Sequence, residues 1–271
     1  MITVKRVVTP SSTAEAFEVL QSHRFATLLG GGAFLRMGSK NISTLIDLSN
    51  CGLNDVTQRN ESWQIGAMVT LGELEHHEGL NQQFDGLFGS AVRDIVGVQL
   101  RNVVTVGASV YSRYGFSDLI TGLLALPVRV RLHKAGILPL EDFLEKGPEG
   151  RDLLEALIIP SGRCAAYTTS LRKSAGDYAL LNVGAAIVDG YVRISVGARP
   201  GRARLATKAM ALLQASGWSE TVIEKTAGIV ATELSFGNNS RAGREYRQQV
   251  CRVLVKRVLK EVARREAEHN H

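Results

Sequence analysis

Cysteine is scarce in this sequence, which has only Cys51, Cys164 and Cys251. The three lie far apart and form no C-x-x-C pair, which argues against a disulfide framework, a zinc site or an iron–sulfur cluster carried by this chain. If the protein transfers electrons, another group must carry them.

Long apolar runs are also missing. No segment approaches the roughly 18 residues that a membrane span needs, and the N-terminal MITVKRVVTPSS lacks the apolar core of a signal peptide. We therefore expect a cytoplasmic protein that does not contact a membrane. The 271 residues exceed the usual size of one domain, roughly 100 to 200 residues, so two or three units should share a substantial core.

Two common nucleotide signatures are absent. After Gly32 the next glycine is Gly38, one place too late for a P-loop, and Ser39 and Lys40 follow it in the wrong order. No G-x-G-x-x-G opens a helix after a strand, so a dinucleotide fold of the Rossmann kind is also unsupported.

The net charge of +6 lies mostly in RPGRAR and in the segment 241–265. In that segment Tyr246, Val250, Leu254 and Val258 recur at helical spacing, while basic residues that include Arg247 fill the other faces. The pattern predicts a solvated amphipathic helix. With no nucleic-acid-binding motif beside the charge, we expect no nucleic-acid partner.

A histidine-rich stretch, GELEHHEG, raises the question of a metal site. His76 and His77 are adjacent, so they point to different sides of a helix, unlike the i, i+4 pair of a zinc-binding helix. We interpret the stretch as an exposed helix end and predict no metal site.

What the sequence does contain is a run of three glycines, Gly30, Gly31 and Gly32, directly after the strand pattern FATLLG. Glycine loses more backbone entropy on folding than any other residue. Such a turn either needs backbone angles that only glycine tolerates, or lets another group approach its N–H groups closely. A tight turn and a ligand-binding turn are the two interpretations.

Hydrophobic periodicity divides the chain into segments 1–55, 56–162 and 163–271. The first is a small α/β unit with a helix in TAEAFEVLQS, capped by Ser11 or Ser12, and strands in FATLLG and TLIDLS. The second opens with the strand SWQIGA and continues with helices in TLGELEHH and LFGSAVRDIV. The third has strands AAYTTSLRK and YVRISVGA, then helices in ATKAMALLQAS and from Glu245 onward, an α+β pattern.

A second turn of small residues, Gly107, Ala108 and Ser109, follows a β-branched run that we interpret as a strand. Ser117 and Asp118 come eight to nine residues later, before an apolar helix. Two small-residue turns, each ending a strand, could face one elongated phosphate-bearing ligand from opposite sides.

Six motifs in this order resemble the FAD-binding subunit of the molybdenum hydroxylases, the group that contains xanthine dehydrogenase and the flavoprotein of carbon monoxide dehydrogenase. They run through nearly the whole chain: LLGGGAFLRMGSK, IGAMVTLGEL, LRNVVTVGAS with SDL, LLEALIIP, RKSAGDYALLNVGAAI and EYRQQVCRVLVKRVL. The resemblance implies an α+β protein, with an FAD-binding domain of two α/β subdomains (1–55 and 56–162) and a C-terminal α+β domain (163–271).

The resemblance also implies roles for individual residues. The first turn would bind the FAD pyrophosphate through backbone N–H groups, and the second would approach the phosphates and ribitol. Ser117 and Asp118 would bind hydroxyls, unless they only cap a helix. Leu153 and Leu154 would pack on the isoalloxazine ring, unless they are simply core residues. Asp177 would lie near the flavin beside Tyr178. The implied cofactor-binding residues are Leu29, Gly30, Gly31, Gly32, Ala33, Phe34, Leu35, Thr105, Gly107, Ala108, Ser109, Ser117, Asp118, Leu153, Leu154 and Asp177.

Three departures from the family pattern stand out. Ala33 and Phe34 stand where the family has Thr and Asp, Ala108 and Ser109 stand where it has Gly and Asn, and Thr169 replaces a lysine. Each change removes a polar group that could hold FAD. One lost hydrogen bond is worth roughly 0.5 to 1.5 kcal/mol, so three losses could weaken binding by orders of magnitude.

Two functions follow from the resemblance. In the first, FAD receives electrons from an iron–sulfur subunit, which takes them from a large molybdopterin-binding subunit, and passes them to NAD or another acceptor. This chain would then be one oxidoreductase subunit with no catalytic side chain of its own. In the second, the chain is a degenerate paralogue that binds little or no flavin and acts as a scaffold or assembly subunit.

Overall fold

The computed structural model describes residues 2–269. Its helices are α1 (Thr13–Ser22), α2 (Ala33–Arg36), α3 (Leu71–His76), α4 (Glu78–Gln83), α5 (Leu87–Val92), α6 (Val98–Arg101), α7 (Val106–Tyr111), α8 (Asp118–Leu124), α9 (Leu140–Lys146), α10 (Thr207–Ser216), α11 (Glu220–Glu233) and α12 (Arg244–Glu268). Its strands are β1 (Thr3–Val4), β2 (Val7–Val8), β3 (Ala26–Leu29), β4 (Asn41–Ile42), β5 (Thr44–Asp47), β6 (Val56–Arg59), β7 (Ser62–Gly66), β8 (Arg129–Leu132), β9 (Gly136–Pro139), β10 (Leu154–Pro160), β11 (Cys164–Leu171), β12 (Leu181–Val188), β13 (Tyr191–Gly197) and β14 (Arg204–Leu205).

The described chain forms two compact units. The first contains residues 2–74, Gly97–Ser112 and Val128–Pro160, and the second contains Glu75–Val96, Arg113–Pro127 and 161–269. Parts of the segment 56–162 therefore contribute to both units.

A small parallel layer begins the first unit. Strands pair in the order β2-β5-β3, all parallel, and β1 pairs with β4. Helix α1 begins where predicted: Ser12 accepts a hydrogen bond from the Glu15 N–H, and Glu15 in turn binds Ser11. The helix buries Ala16 and Leu20 against β5 and the residue after β5, Leu48.

The other sheet of the first unit is antiparallel, with strand order β6-β7-β10-β8-β9. The turn between β8 and β9 is held by Asp152, whose side chain is almost fully buried. Its carboxylate accepts hydrogen bonds from the N–H groups of Lys134 (3.0 Å), Ala135 (3.0 Å) and Leu153 (2.7 Å). One buried carboxylate thus supplies the acceptor that these backbone N–H groups would otherwise lack.

The second unit is built on an antiparallel sheet of order β11-β12-β13-β14. All eight residues of β12, LNVGAAIV, are buried. Helices α10, α11 and α12 share one core with the sheet, while α5 and α8 also pack against it. The continuous apolar run in β12 is typical of a strand that is covered on both faces.

Two predictions of secondary structure need correction. The β-branched run before Gly107 does not form a strand; Thr105 makes one isolated bridge to Thr70 and then caps α7. The threonine hydroxyl accepts from the N–H of Ala108, so Gly107, Ala108 and Ser109 lie inside the first turn of a helix. The second difference is helix α11, Glu220–Glu233, where the sequence analysis predicted no helix.

The C-terminal helix lies where it was predicted, but the exposure of two of its side chains differs from the prediction. Tyr246 is exposed, whereas Arg247, which we expected in solvent, is only 1% exposed. Its guanidinium donates to the backbone oxygens of Leu180 and Ala198 and to Oδ1 of Asn239. Arginine can be buried here because main-chain and amide oxygens replace its water.

Within residues 2–269, no helix combines the length and the apolar character that crossing a bilayer requires.

The hairpin held by Asp152 allows a direct test of stability. Asp152→Ala would leave three N–H groups without their carboxylate, so we expect a loss of at least about 3 kcal/mol in the free energy of unfolding. Urea denaturation measures this loss. Asp55→Ala, at an exposed position of the same unit, is the matched control and should change the free energy by less than about 0.5 kcal/mol. Equal stability of both variants would contradict the role given to Asp152.

Candidate functional site

The three-glycine turn follows β3 and leads directly into α2. Gly31 and Gly32 have φ of +75° and +71°, in the left-handed region where a side chain is strained. Among the described residues, no hydrogen bond uses the backbone N–H groups of Gly31, Gly32, Ala33 or Leu35. Four main-chain donors in one short turn are suited to an anion.

A second segment of the first unit lies directly against this turn. A Cβ on Gly31 would be 1.8 Å from the backbone oxygen of Val103. A Cβ on Gly30 would be 2.9 Å from both the Cβ of Ala108 and Oγ1 of Thr105. The glycines therefore serve the contact between two chain segments as well as the backbone angles of the turn.

The second small-residue turn differs from the first in its hydrogen bonds. All three N–H groups have acceptors in the protein. That of Gly107 donates to the backbone oxygen of Ala67, whereas those of Ala108 and Ser109 donate to the hydroxyl and the backbone oxygen of Thr105. The Ser109 hydroxyl donates to the backbone oxygen of Thr105 at 2.9 Å. The absence of a side chain at position 107 has its own reason, since a Cβ there would lie 2.6 Å from that of Ala67.

A cavity of about 480 Å³ lies within the first unit, where the parallel layer meets α7 and the start of β10. That volume is in the range of roughly 300 to 1,000 Å³ that small-molecule sites occupy. The implied site residues that line the cavity are Gly30, Thr105, Gly107, Ala108 and Leu154. Lys40 also lines it and forms no ion pair with a described residue.

The two leucines have different positions. Leu154 lines the cavity, but Leu153 is fully buried in a core cluster with Ala16, Leu20 and Ile46. Leu153 thus packs in the core of the first unit, which is the alternative given for it from the sequence, and its contact with a ligand ring stays a prediction.

Ser117 and Asp118 lie in the second unit, at the start of α8. Ser117 is the N-cap, and its hydroxyl accepts from the N–H of Ile120. The carboxylate of Asp118 accepts from Arg172 and from Asn182, each at 2.7 Å. Burial raises the pKa of the Asp118 carboxyl, and these two donors act in the opposite direction.

Asp177 lies in the loop 172–180 of the same unit. Its carboxylate accepts from Nε of Arg241 at 2.8 Å, and this hydrogen bond lowers the pKa of Asp177. The guanidinium of Arg241 also lies 5.0 Å from the ring centre of Tyr178, which packs edge-on against Phe116. The aspartate is thus ionised and fixed at neutral pH.

The histidine-rich stretch forms helix ends. Glu73 accepts from both the N–H and the hydroxyl of Thr70, a capping interaction at the start of α3. Nδ1 of His77 accepts from the N–H of Leu80 and caps α4. The residues that the structure describes contain no group of three or more histidine, cysteine or acidic side chains placed to hold a metal.

Comparison with family models covers nearly the whole chain. Residues 3–162 match the FAD-binding domain in molybdopterin dehydrogenase, and residues 165–262 match the CO dehydrogenase flavoprotein C-terminal domain. The chain belongs to this family of FAD-binding subunits of molybdenum hydroxylases. Its α+β fold, its FAD-binding domain and its place as one subunit of an oxidoreductase agree with the predicted resemblance.

Individual relatives are distant but collinear. The medium chain of glyceraldehyde dehydrogenase from Sulfolobus acidocaldarius is 24% identical over 277 residues, covering 94% of this chain and 97% of the relative. Carbon monoxide dehydrogenase from Oligotropha carboxidovorans is 21% identical with a TM-score of 0.88, covering 97% and 98% of the two chains. Quinoline 2-oxidoreductase from Pseudomonas putida 86 is 22% identical with a TM-score of 0.84, covering 97% of each chain. At these identities the structural likeness shows the fold.

Sequence reasoning missed Lys40 and Arg172. Lys40 lay inside a recognised motif, but its distance of ten residues from Gly30 gave no sign that both line one cavity. Arg172 lies 54 residues from Asp118, and only the pairing of β11 with β12 brings it close to Asn182 and the start of α8.

The contact between the two segments of the first unit predicts unequal costs for glycine substitutions. Gly31→Ala combines a positive φ with a clash against the Val103 oxygen, whereas Gly52→Ala has a positive φ and open space. We expect Gly52→Ala to cost about 1 kcal/mol in unfolding free energy and Gly31→Ala at least about 2 kcal/mol more. Denaturant titration compares them. If the two costs are the same, the turn does not depend on its contact with Val103.

Proposed function

We propose that this chain binds FAD with its pyrophosphate at the turn Gly30–Leu35, and that it accepts and releases electrons as the flavoprotein of a molybdenum hydroxylase. The observation that carries the proposal is the group of unpaired N–H donors at Gly31, Gly32, Ala33 and Leu35. A phosphate group is an acceptor that such donors recognise without side chains.

Charge in the cavity supports the same ligand. Lys40 is exposed and lines the same cavity as Gly30. Its ammonium forms no ion pair with any residue that the structure describes. A cation beside main-chain donors favours a diphosphate over a neutral ligand. The apolar part of the lining, which includes Leu28, Met68 and Leu154, fits the uncharged parts of a nucleotide.

The protein's part in the reaction is binding and orientation. When bound, FAD supplies the capacity to take up and pass on electrons one or two at a time. The glycine turn holds the phosphates, and Lys40 balances their charge. The roles that the family resemblance implies for Asp118 and Asp177, which both lie in the second unit and accept hydrogen bonds from arginine side chains, stay predictions.

The complete enzyme needs further subunits. This sequence has three cysteines, of which Cys164 and Cys251 are buried in the second unit. Burial raises the pKa of both thiols, which makes them poor metal ligands. We therefore propose an iron–sulfur subunit as electron donor and a large molybdopterin-binding subunit as the place of substrate oxidation. NAD or another acceptor would take the electrons from the flavin.

A scaffold without flavin is the second candidate, favoured by the three departures from the family pattern. Ala33 and Phe34 offer no polar side chain, the Ser109 hydroxyl is bonded to its own helix, and Thr169 lies within the β11–β12 ladder. The unpaired main-chain donors weigh against this candidate, since they remain whatever the side chains are.

Flavin selectivity tests the proposal. We expect the colourless chain to bind FAD in preference to FMN, because only FAD has the pyrophosphate. Lys40→Ala should weaken FAD binding by about fivefold to twentyfold at low salt and less at high salt, as for an exposed ion pair beside hydrogen bonds. Quenching of flavin fluorescence on titration measures both effects.

Lys5→Ala is the matched control, because Lys5 is an exposed lysine of the same unit that does not line the cavity. It should bind FAD as the wild type does. A wild-type chain that binds neither flavin at high concentration would replace the redox proposal by the scaffold. Equal affinity of the Lys40→Ala variant and the wild type would remove Lys40 from the site.

Association provides a second test. Purification of the tagged chain from its native cells, under conditions that keep weak complexes, should recover one protein with bound iron and sulfide and one large protein with molybdenum. Metal analysis and mass spectrometry identify them. Recovery of the chain without either protein would count against its place in such an enzyme.

A further inference from the structure

The cavity of the first unit has three walls that come from different parts of the chain. Strand β3 with the glycine turn forms the first wall, α7 forms the second, and the segment 150–154 forms the third. The first two walls touch at one end, where a Cβ on Gly30 would lie 2.9 Å from that of Ala108. The other ends of β3 and α7 are both hydrogen-bonded to the third wall.

Arg151 holds the first wall. Strand β3 is the last strand in the order β2-β5-β3, so another strand binds it on one side only. At the start of β3, the guanidinium of Arg151 donates from Nη2 to the backbone oxygen of Ala26 at 2.5 Å and from Nη1 to that of His23 at 2.7 Å. The terminal nitrogens of a planar guanidinium point in fixed, different directions, so one side chain can bind two oxygens that lie apart. The backbone oxygen of Arg151 in turn accepts from Nε2 of Gln21 at 2.9 Å.

Tyr111 holds the second wall to the next residue of the same segment. It is the last residue of α7, and its hydroxyl donates to the backbone oxygen of Asp152 at 2.9 Å. Asp152 is only 1% exposed, and its carboxylate is bound by three backbone N–H groups. The acceptor therefore has a fixed position, and the hydrogen bond fixes the end of α7 relative to it.

Two consecutive residues thus bind both walls, and these bonds determine how far apart the walls lie. Within the described part of the chain the Arg151 guanidinium forms no ion pair, and its hydrogen bonds all go to main-chain oxygens. A ligand that extends from the turn into the cavity needs both walls at one spacing, whereas a ligand held by the turn alone does not. The apparent affinity of the longer ligand falls in proportion to the fraction of molecules that have this spacing.

We propose that Arg151 and Tyr111 are positioning residues, which set the width of the cavity for the part of FAD that enters it. The inference rests on the proposed function, because only under that function does a ligand extend from the glycine turn into this cavity. It goes further in assigning part of the affinity for FAD to two hydrogen-bonded contacts between protein groups rather than to a contact with the cofactor.

Tyr111→Phe in the full chain tests the inference without a change of charge, because it keeps the ring and removes only the hydroxyl. We expect the dissociation constant for FAD to rise about threefold to tenfold, as for the loss of one hydrogen bond. Binding of inorganic pyrophosphate should stay within about twofold of wild type, since this ligand needs the turn and not the spacing of the walls. Isothermal titration calorimetry measures both constants.

Arg151→Lys tests the other wall, because lysine keeps the positive charge and loses the fork. We expect the dissociation constant for FAD to rise about fivefold to thirtyfold, since two hydrogen bonds to the start of β3 are lost or weakened. Binding of pyrophosphate should again stay within about twofold of wild type.

Arg131→Lys and Tyr191→Phe are the matched controls. Arg131 is a half-buried arginine of the first unit that donates to Oε1 of Gln64 at 3.3 Å and does not line the cavity. Tyr191 is an exposed tyrosine of the second unit. Both control variants should bind FAD and pyrophosphate as the wild type does. If Arg151→Lys does not fold, the comparison of Tyr111→Phe with Tyr191→Phe decides the inference.

The outcomes separate the inference from the proposed function. Wild-type affinity for FAD in folded Tyr111→Phe would overturn the inference alone, even if Arg151→Lys binds more weakly, because the arginine would then act through its own contact. An equal loss of FAD and pyrophosphate affinity with a lower melting temperature would also overturn it, because the role would then be general stability. Absence of FAD binding in the wild type would remove the proposed function, and the inference with it.

Discussion

The first unit depends on the contact between the turn 30–32 and the segment 103–108. Main-chain atoms come so close there that a single Cβ at Gly31 would overlap the Val103 oxygen. Glycine at both Gly30 and Gly31 makes this approach possible, and the positive φ of Gly31 and Gly32 turns the chain into α2. Among the described residues, several N–H groups of the same turn have no protein acceptor, so the packing of the unit and the proposed anion site have one origin.

A corresponding constraint in the second unit is the close packing of α8 on its sheet. A Cβ on Gly197 would lie 2.0 Å from the Thr121 hydroxyl oxygen, and Ser195 donates to the Thr121 backbone oxygen at 2.7 Å. Small residues in the sheet thus let the helix lie close to it. The start of α8 is then held beside Asn182 and Arg172, which is why a carboxylate at this buried position finds two donors.

Local patterns were sufficient for the elements with simple periodicity. The cap at Ser12, the strand after it and the long C-terminal helix all follow from short-range sequence signals. The prediction of a strand before Gly107 was wrong. The β-branched residues of this run favour a strand, but the Thr105 hydroxyl and the hydrogen bonds to Ala67 and Val69 favour the start of a helix. Arg247 misled for a similar reason: helical spacing does not reveal that carbonyl oxygens of two distant loops converge on one side chain.

The candidate site shows the same division between local and long-range information. Order of motifs was enough to identify the family, and the glycine turn was recognisable because it is contiguous in sequence. Lys40 at the cavity of the first unit, and separately Arg172 and Asn182 at Asp118 in the second unit, are placed by parts of the chain that meet only after folding. No spacing rule connects Arg172 with an acceptor 54 residues earlier.

These two kinds of interaction respond differently to substitution, and this explains how a site can depart from its family pattern and still bind. A main-chain donor such as the Ala33 N–H survives any replacement except proline, so loss of polar side chains at Ala33 and Phe34 leaves part of the turn's attraction for phosphate intact. Side-chain positions have no such protection. Recognition of the phosphates should therefore tolerate the substitutions in this sequence better than any contact that depends on one particular side chain, such as that of Lys40.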